Sequence, residues 1–93
     1  MKLIFCPACE DVLRLTKDSR SCRCGASWGW YLEDGLNAEI GGRAIPLGFD
    51  NGSFVRALSD RPKEGLGRRF EAFVIAEQCP TIVGDAVKPR GKQ

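Results

Sequence analysis

Apolar and polar positions alternate over short stretches along most of this chain, and each stretch predicts a strand. Leu3-Ile4-Phe5 follows Lys2 as a compact apolar run and predicts a strand over 2–5. Val12, Leu13 and Leu15, with Arg14 and Thr16 between them, predict a half-buried strand, and Lys17-Asp18-Ser19-Arg20 reads as the polar turn after it. Ala26 to Leu32 is rich in aromatic residues and predicts another strand. Its alternation sets Trp28, Trp30 and Leu32 on one face and Ser27, Gly29 and Tyr31 on the other. The two indoles are assigned to the core, because aromatic side chains dominate burial in small domains. After the turn Glu33-Asp34-Gly35, a strand is expected from Leu36 to Ile40, closed by Gly41-Gly42. Arg43 to Leu47 is a further short strand, which Pro46 restricts to an edge or an end.

From Asp50 the period changes. Phe54, Val55 and Leu58 follow helical spacing, with Asp50 or Asn51 as the cap and Arg61-Pro62 as the stop. A hairpin turning at Asn51-Gly52 is the other reading, and the helix is favoured. Arg61 to Arg69 is polar and broken by Pro62, Gly65 and Gly67, so it is expected to be an exposed loop. Phe70 to Ala76 predicts a strand with Phe70, Ala72 and Val74 on one face and Phe73 and Ile75 on the other, followed by a short strand at Thr81-Ile82-Val83. Residues 88–93 carry hardly any apolar side chains and read as a mobile tail. No internal repeat interrupts this order. The fold class that results is α+β: small, mostly antiparallel β with one short helix, and with its cysteines gathered near the N-terminus.

Ninety-three residues suit one small domain. The expected organisation is a unit over 1–34 and a β-rich lobe with the helix over 35–93, packed together as one body. So short a chain has little core, and a bound metal compensates for that. The formal net charge of +2 is too weak to mark a nucleic-acid binder by itself. Its excess sits in residues 61–93, which hold seven basic and four acidic groups. No secretory signal and no membrane-length apolar run is visible, and free, metal-suited thiols fit a reducing cytoplasm.

The chemistry is concentrated in Cys6-Pro7-Ala8-Cys9 and Cys22-Arg23-Cys24-Gly25. Four thiolates in two close pairs match the ligand count of a closed tetrahedral metal site, and thiolate selects zinc or iron over magnesium and calcium. These residues resemble a zinc ribbon, the small β-hairpin module built on two metal knuckles. The resemblance covers about the first third of the chain, and the second pair is one residue tighter than the two-residue spacing usual in that family. It implies a Zn2+ held by Cys6, Cys9, Cys22 and Cys24. The whole chain looks similar to small bacterial or phage proteins with an N-terminal ribbon. A rubredoxin-like iron electron carrier is a rival, against which the one-residue spacing of Cys22 and Cys24 argues.

Catalysis is poorly supported. The chain has no histidine, so it lacks the usual general base at neutral pH. Glu10-Asp11 and Glu33-Asp34 read as solvated carboxylates, and Cys79 as a buried structural thiol. The expected function is binding to a larger protein or protein complex, without enzymatic activity. Arg14, Arg20, Arg23 and Tyr31 around the ribbon, and Arg61, Lys63, Arg68 and Arg69 on the later loop, are the candidate contacts. Cations interleaved with aromatics also suit a single-stranded nucleic acid, which is the alternative partner.

Overall fold

The structure, a computed structural model, describes residues 1–89. It is α+β, with eight short strands in two four-stranded sheets and one helix. The first sheet has the order β2-β1-β6-β7, formed by Val12–Arg14, Lys2–Phe5, Ile45–Phe49 and Ala72–Val74, all antiparallel. The second has the order β3-β4-β5-β8, formed by Arg20–Ser21, Ser27–Tyr31, Ala38–Gly42 and Ile82–Val83. Its β5–β8 pair is parallel, which requires the chain to cross from one sheet to the other after β7.

A continuous apolar run explains why β1 lies inside the first sheet. Leu3 and Ile4 are buried, and β1 pairs with β2 on one side (Ile4 opposite Leu13) and with β6 on the other (Ile4 opposite Pro46). Ile4, Leu13 and Leu15 meet Ala38 and Ile40 of the second sheet, with Cys6 and Cys22 completing the cluster.

On β4 the expected alternation holds but the inward face is the other one. Ser27 and Gly29 are buried, whereas Trp28 and Trp30 are only half-buried. A Cβ on Gly29 would stand 3.2 Å from the Leu15 side chain and 3.1 Å from that of Ile40, so the absence of a side chain lets the sheets close there. Trp28 lies on the opposite face over Gly41, its cross-strand partner, and over Gly42. Its indole N–H donates to the Ala86 carbonyl at 2.9 Å. Two glycines on β5 make the floor that this indole covers, which is why it does not enter the core.

Pro46 does not confine β6 to an edge, since β6 pairs on both sides. It acts instead on β7. Ile75 donates to the Pro46 carbonyl at 2.9 Å, but proline has no N–H to return, and the ladder ends there. The strand expected over 70–76 is therefore only Ala72–Val74.

The helical reading of the middle segment holds: α1 spans Asn51–Ser59 with Asp50 as its cap residue. No residue of α1 is buried. It is held through Phe54, whose ring packs 5.3 Å from Phe49 and 4.7 Å from Phe70, centroid to centroid. Residues 61–69 form an exposed loop. Among the described residues, no helix is long and apolar enough to cross a membrane. Most of the expected tail, 90–93, lies outside the described residues, and Lys88 sits with its ammonium 5.7 Å from the Trp28 ring.

Candidate metal centre

Each sheet contributes one pair of cysteines. Cys6 and Cys9 lie on the turn between β1 and β2, and Cys22 and Cys24 between β3 and β4. The quartet therefore joins the two sheets at one end.

Both turns are built in the same way. Glu10 donates to the Cys6 carbonyl at 2.6 Å, and Gly25 donates to the Cys22 carbonyl at 3.0 Å, one residue shorter. The residue after each pair adopts a left-handed backbone, with φ of 62° at Glu10 and 80° at Gly25. Glycine takes that conformation freely and glutamate does not. The pattern of turn residues shows Gly25 from the sequence; Glu10 has no such signal, because its side chain is untypical of the position.

The four sulfurs lie within 4.8 Å of one another. Cys24 Sγ stands 3.6 Å from Cys22 Sγ and 3.8 Å from Cys6 Sγ. A tetrahedron with metal–sulfur bonds of about 2.3 Å has sulfur–sulfur edges of about 3.8 Å. The separations fit ligands sharing one ion and are far too long for disulfide bonds, and all five cysteines are free.

The surroundings suit thiolate. Amides of Ala8 and Cys9 point at the Cys6 sulfur, and those of Cys24 and Ser27 at Cys22. Ser27 is fully buried and its hydroxyl makes no hydrogen bond. Its neighbour is the Cys6 sulfur, and chiefly through that hydroxyl the Cys6 thiol is lowered to about 6. A buried hydroxyl left without a conventional acceptor is costly unless a charged sulfur takes its hydrogen. Burial pushes Cys22 up, but the Ser27 amide and the Cys24 groups outweigh it and hold the thiol below its usual range. The Ala26 amide pulls Cys24 down, yet burial and the neighbouring sulfurs of Cys9, Cys22 and Cys6 raise it to about 11. Four sulfurs this close cannot all carry negative charge without a cation among them. The residues present thus fit a metal ion, and zinc and iron both accept this donor set.

Arg23, the single residue inside the second pair, ties the turns together. Its amide donates to Asp11 Oδ2 at 2.8 Å and its guanidinium to the Cys9 carbonyl at 2.9 Å. Asp11 and Ser27 are supporting residues that sequence reasoning missed. The acidic pair Glu10-Asp11 reads as surface until the second turn is seen beside it.

The remaining candidate contacts do not converge. Arg20 donates to the Arg14 carbonyl at 3.0 Å on the outside of the hairpin. Arg14 and Tyr31 line a cleft of about 550 Å³ with Asn51, Phe54 and Val55. The Tyr31 hydroxyl accepts from the Lys2 amide at 2.9 Å and so is a link between the sheets. Arg68 pairs with Asp60 and, with Arg56 and Arg69, lines a second cleft of about 550 Å³ beyond the helix. Arg61 and Lys63 stand exposed on the loop between them.

Cys79 is half-buried and its sulfur lies 3.4 Å from the Thr81 hydroxyl. That hydroxyl first, then the Thr81 amide and the Lys2 charge, hold the thiol below its usual range. Cys79 is not part of the quartet. Comparison of the chain with family models, with curated proteins and with solved structures finds no match.

Proposed function

We propose that the quartet holds a structural zinc ion, and that the chain is a small binding or adaptor protein that contacts a larger protein and catalyses no reaction. Bound zinc would supply the cross-link between the sheets; Cys6, Cys9, Cys22 and Cys24 would hold it. With four thiolates on the ion, no coordination position is left for water or substrate. The one-residue spacing of Cys22 and Cys24 favours zinc over a rubredoxin-like iron site, and a cytoplasmic location fits ligands that must stay reduced.

The observation that carries the binding role is the exposure of apolar side chains on the helix and the loop after it. The cluster between the sheets takes Ile4, Leu13, Leu15, Ala38 and Ile40, while Val12 and Leu36 stay exposed beside it. The helix and the loop after it leave Val55, Leu58 and Leu66 exposed, at 57%, 59% and 109% of full accessibility. Val55 and Leu58 lie three residues apart on α1 and so share one side of the helix, and exposed apolar side chains of this kind mark a protein-binding face better than a nucleic-acid face. Phe54 packs α1 on Phe49 and Phe70, so substitution of Val55 or Leu58 is expected to leave the fold in place.

The test combines metal analysis with partner capture. Tagged protein from its native host should carry one zinc per chain, and a protein partner should be lost on Val55→Asp or Leu58→Asp while zinc is retained. A red, iron-containing preparation would overturn the zinc assignment. Binding of a single-stranded oligonucleotide that weakens steeply with salt, with no protein partner, would replace the adaptor role with nucleic-acid binding.

A further inference from the structure

β7 is the last strand of its sheet, and among the described residues no strand pairs with its outer edge. Ala72, Phe73 and Val74 are all exposed, Phe73 at 53% and Val74 at 67%. Natural sheets blunt such edges with proline, lysine, bulges or a covering segment. Residues 69–77 contain no proline and no lysine, and the preceding residues 61–68 are themselves exposed.

The ladder with β6 shows which backbone groups are free. Asp50 donates to the Glu71 carbonyl and Ile75 to that of Pro46, both at 2.9 Å, and the register places Phe73 opposite Gly48. In an antiparallel ladder, bonding positions alternate. Glu71, Phe73 and Ile75 therefore direct their amides and carbonyls at β6, while Ala72 and Val74 direct theirs outward. The Phe73 ring meanwhile lies over Gly48, where a Cβ would stand 2.6 Å from it.

We propose that two copies of this chain pair antiparallel through β7, with the two Phe73 residues facing each other at the twofold axis. In that register Ala72 and Val74 of one copy exchange N–H and C=O groups with Val74 and Ala72 of the other. Phe73 meets Phe73 in a non-hydrogen-bonded pair, where side chains come closest. The charges select this register. Arg69 and Glu77 lie outside Ala72–Val74 but are equally distant in sequence from Phe73, so pairing that extends beyond the strand would bring each towards its opposite in the second copy, twice per dimer. Centring the pair on Val74 would set Glu71 against Glu77, and centring it on Ala72 would set Arg69 against Ile75. The contact is isologous, so it closes at two copies and joins two four-stranded sheets into one of eight strands.

The test measures the mass of the full, metal-loaded chain by sedimentation and native mass spectrometry. A dimer of twice 10.2 kDa is expected. Glu77→Arg, which sets like charges opposite each other at both ends, should weaken the dimer by about tenfold. Adding Arg69→Glu should restore it. Val74→Pro removes an N–H that β6 does not use, so it should give a folded monomer with unchanged metal content. A chain that stays monomeric at about 100 μM, or a dimer that Val74→Pro and Glu77→Arg leave intact, would overturn the proposal.

Discussion

Arg23 and Cys9 belong to different turns and different sheets, yet the Arg23 guanidinium donates to the Cys9 carbonyl at 2.9 Å. With its amide on Asp11, Arg23 forms a bracket that does not pass through the sulfurs. Arg23→Ala keeps the amide bond and loses the guanidinium bond. It should lower stability by about 1 kcal/mol in the metal-loaded protein. Asp11→Ala should cost at least as much, since it leaves the Arg23 N–H without its acceptor. Urea melts of the two single variants and the double variant check this, and the double should cost less than their sum.

The left-handed backbone at Glu10 is a built-in strain that glycine would relieve. Glu10→Gly should raise stability by about 0.5–1 kcal/mol, the relief exceeding the added freedom of the unfolded chain. Gly25→Ala, at the equivalent place in the second turn, should lower it by about 1 kcal/mol. Thermal melts with metal bound are sufficient to show the opposite signs.

Metal loading should depend on pH in a defined direction. Cys6, lowered to about 6, is already thiolate at neutral pH, whereas Cys24, raised to about 11, must give up its proton when an ion enters. Affinity should therefore rise with pH across the neutral range, with protons released on binding, and should fall further as pH drops through 6 and Cys6 also protonates. Ser27→Ala removes the hydroxyl that holds the Cys6 thiol down. It should weaken metal affinity by about tenfold while leaving the fold intact. Competition with a chromophoric chelator at several pH values measures both effects.

Gly41 is the floor under Trp28. A side chain there would collide with the indole and with the Ala86 carbonyl that the indole N–H binds. Gly41→Ala should cost about 2 kcal/mol. The Trp28 emission should shift to the red as residues 82–86 detach from β5. Unfolding followed by intrinsic fluorescence reports the cost and the shift together.

The cysteine cluster and most strands were legible in the sequence because each depends on local pattern: a spacing, an alternation, a turn residue. Gly29 and Trp28 show where local pattern fails. Both lie on a strand that the alternation finds correctly, but which face turns inward depends on Leu15, Ile40 and the glycines of β5, all distant in sequence. Large aromatic residues suggested the core, and the space left by Gly29 decided otherwise. Arg23 and Asp11 are similar: each reads as a surface charge alone, and their bond exists only once the two turns are side by side. Pro46 points to an edge, yet its own strand is internal, and the proline instead ends the neighbouring ladder at Ile75.

The parallel pairing of β8 with β5 sets an order of assembly. The cysteine quartet is complete once Cys24 has been synthesised, and the first three strands of the second sheet once Gly42 has. The flank of β5, however, stays bare until Ile82 and Val83 arrive to close it. During translation a nascent chain would spend that interval anchored at its sulfur end and open at the other. A ribosome stalled within that window should thus hold a metal-competent but sticky intermediate.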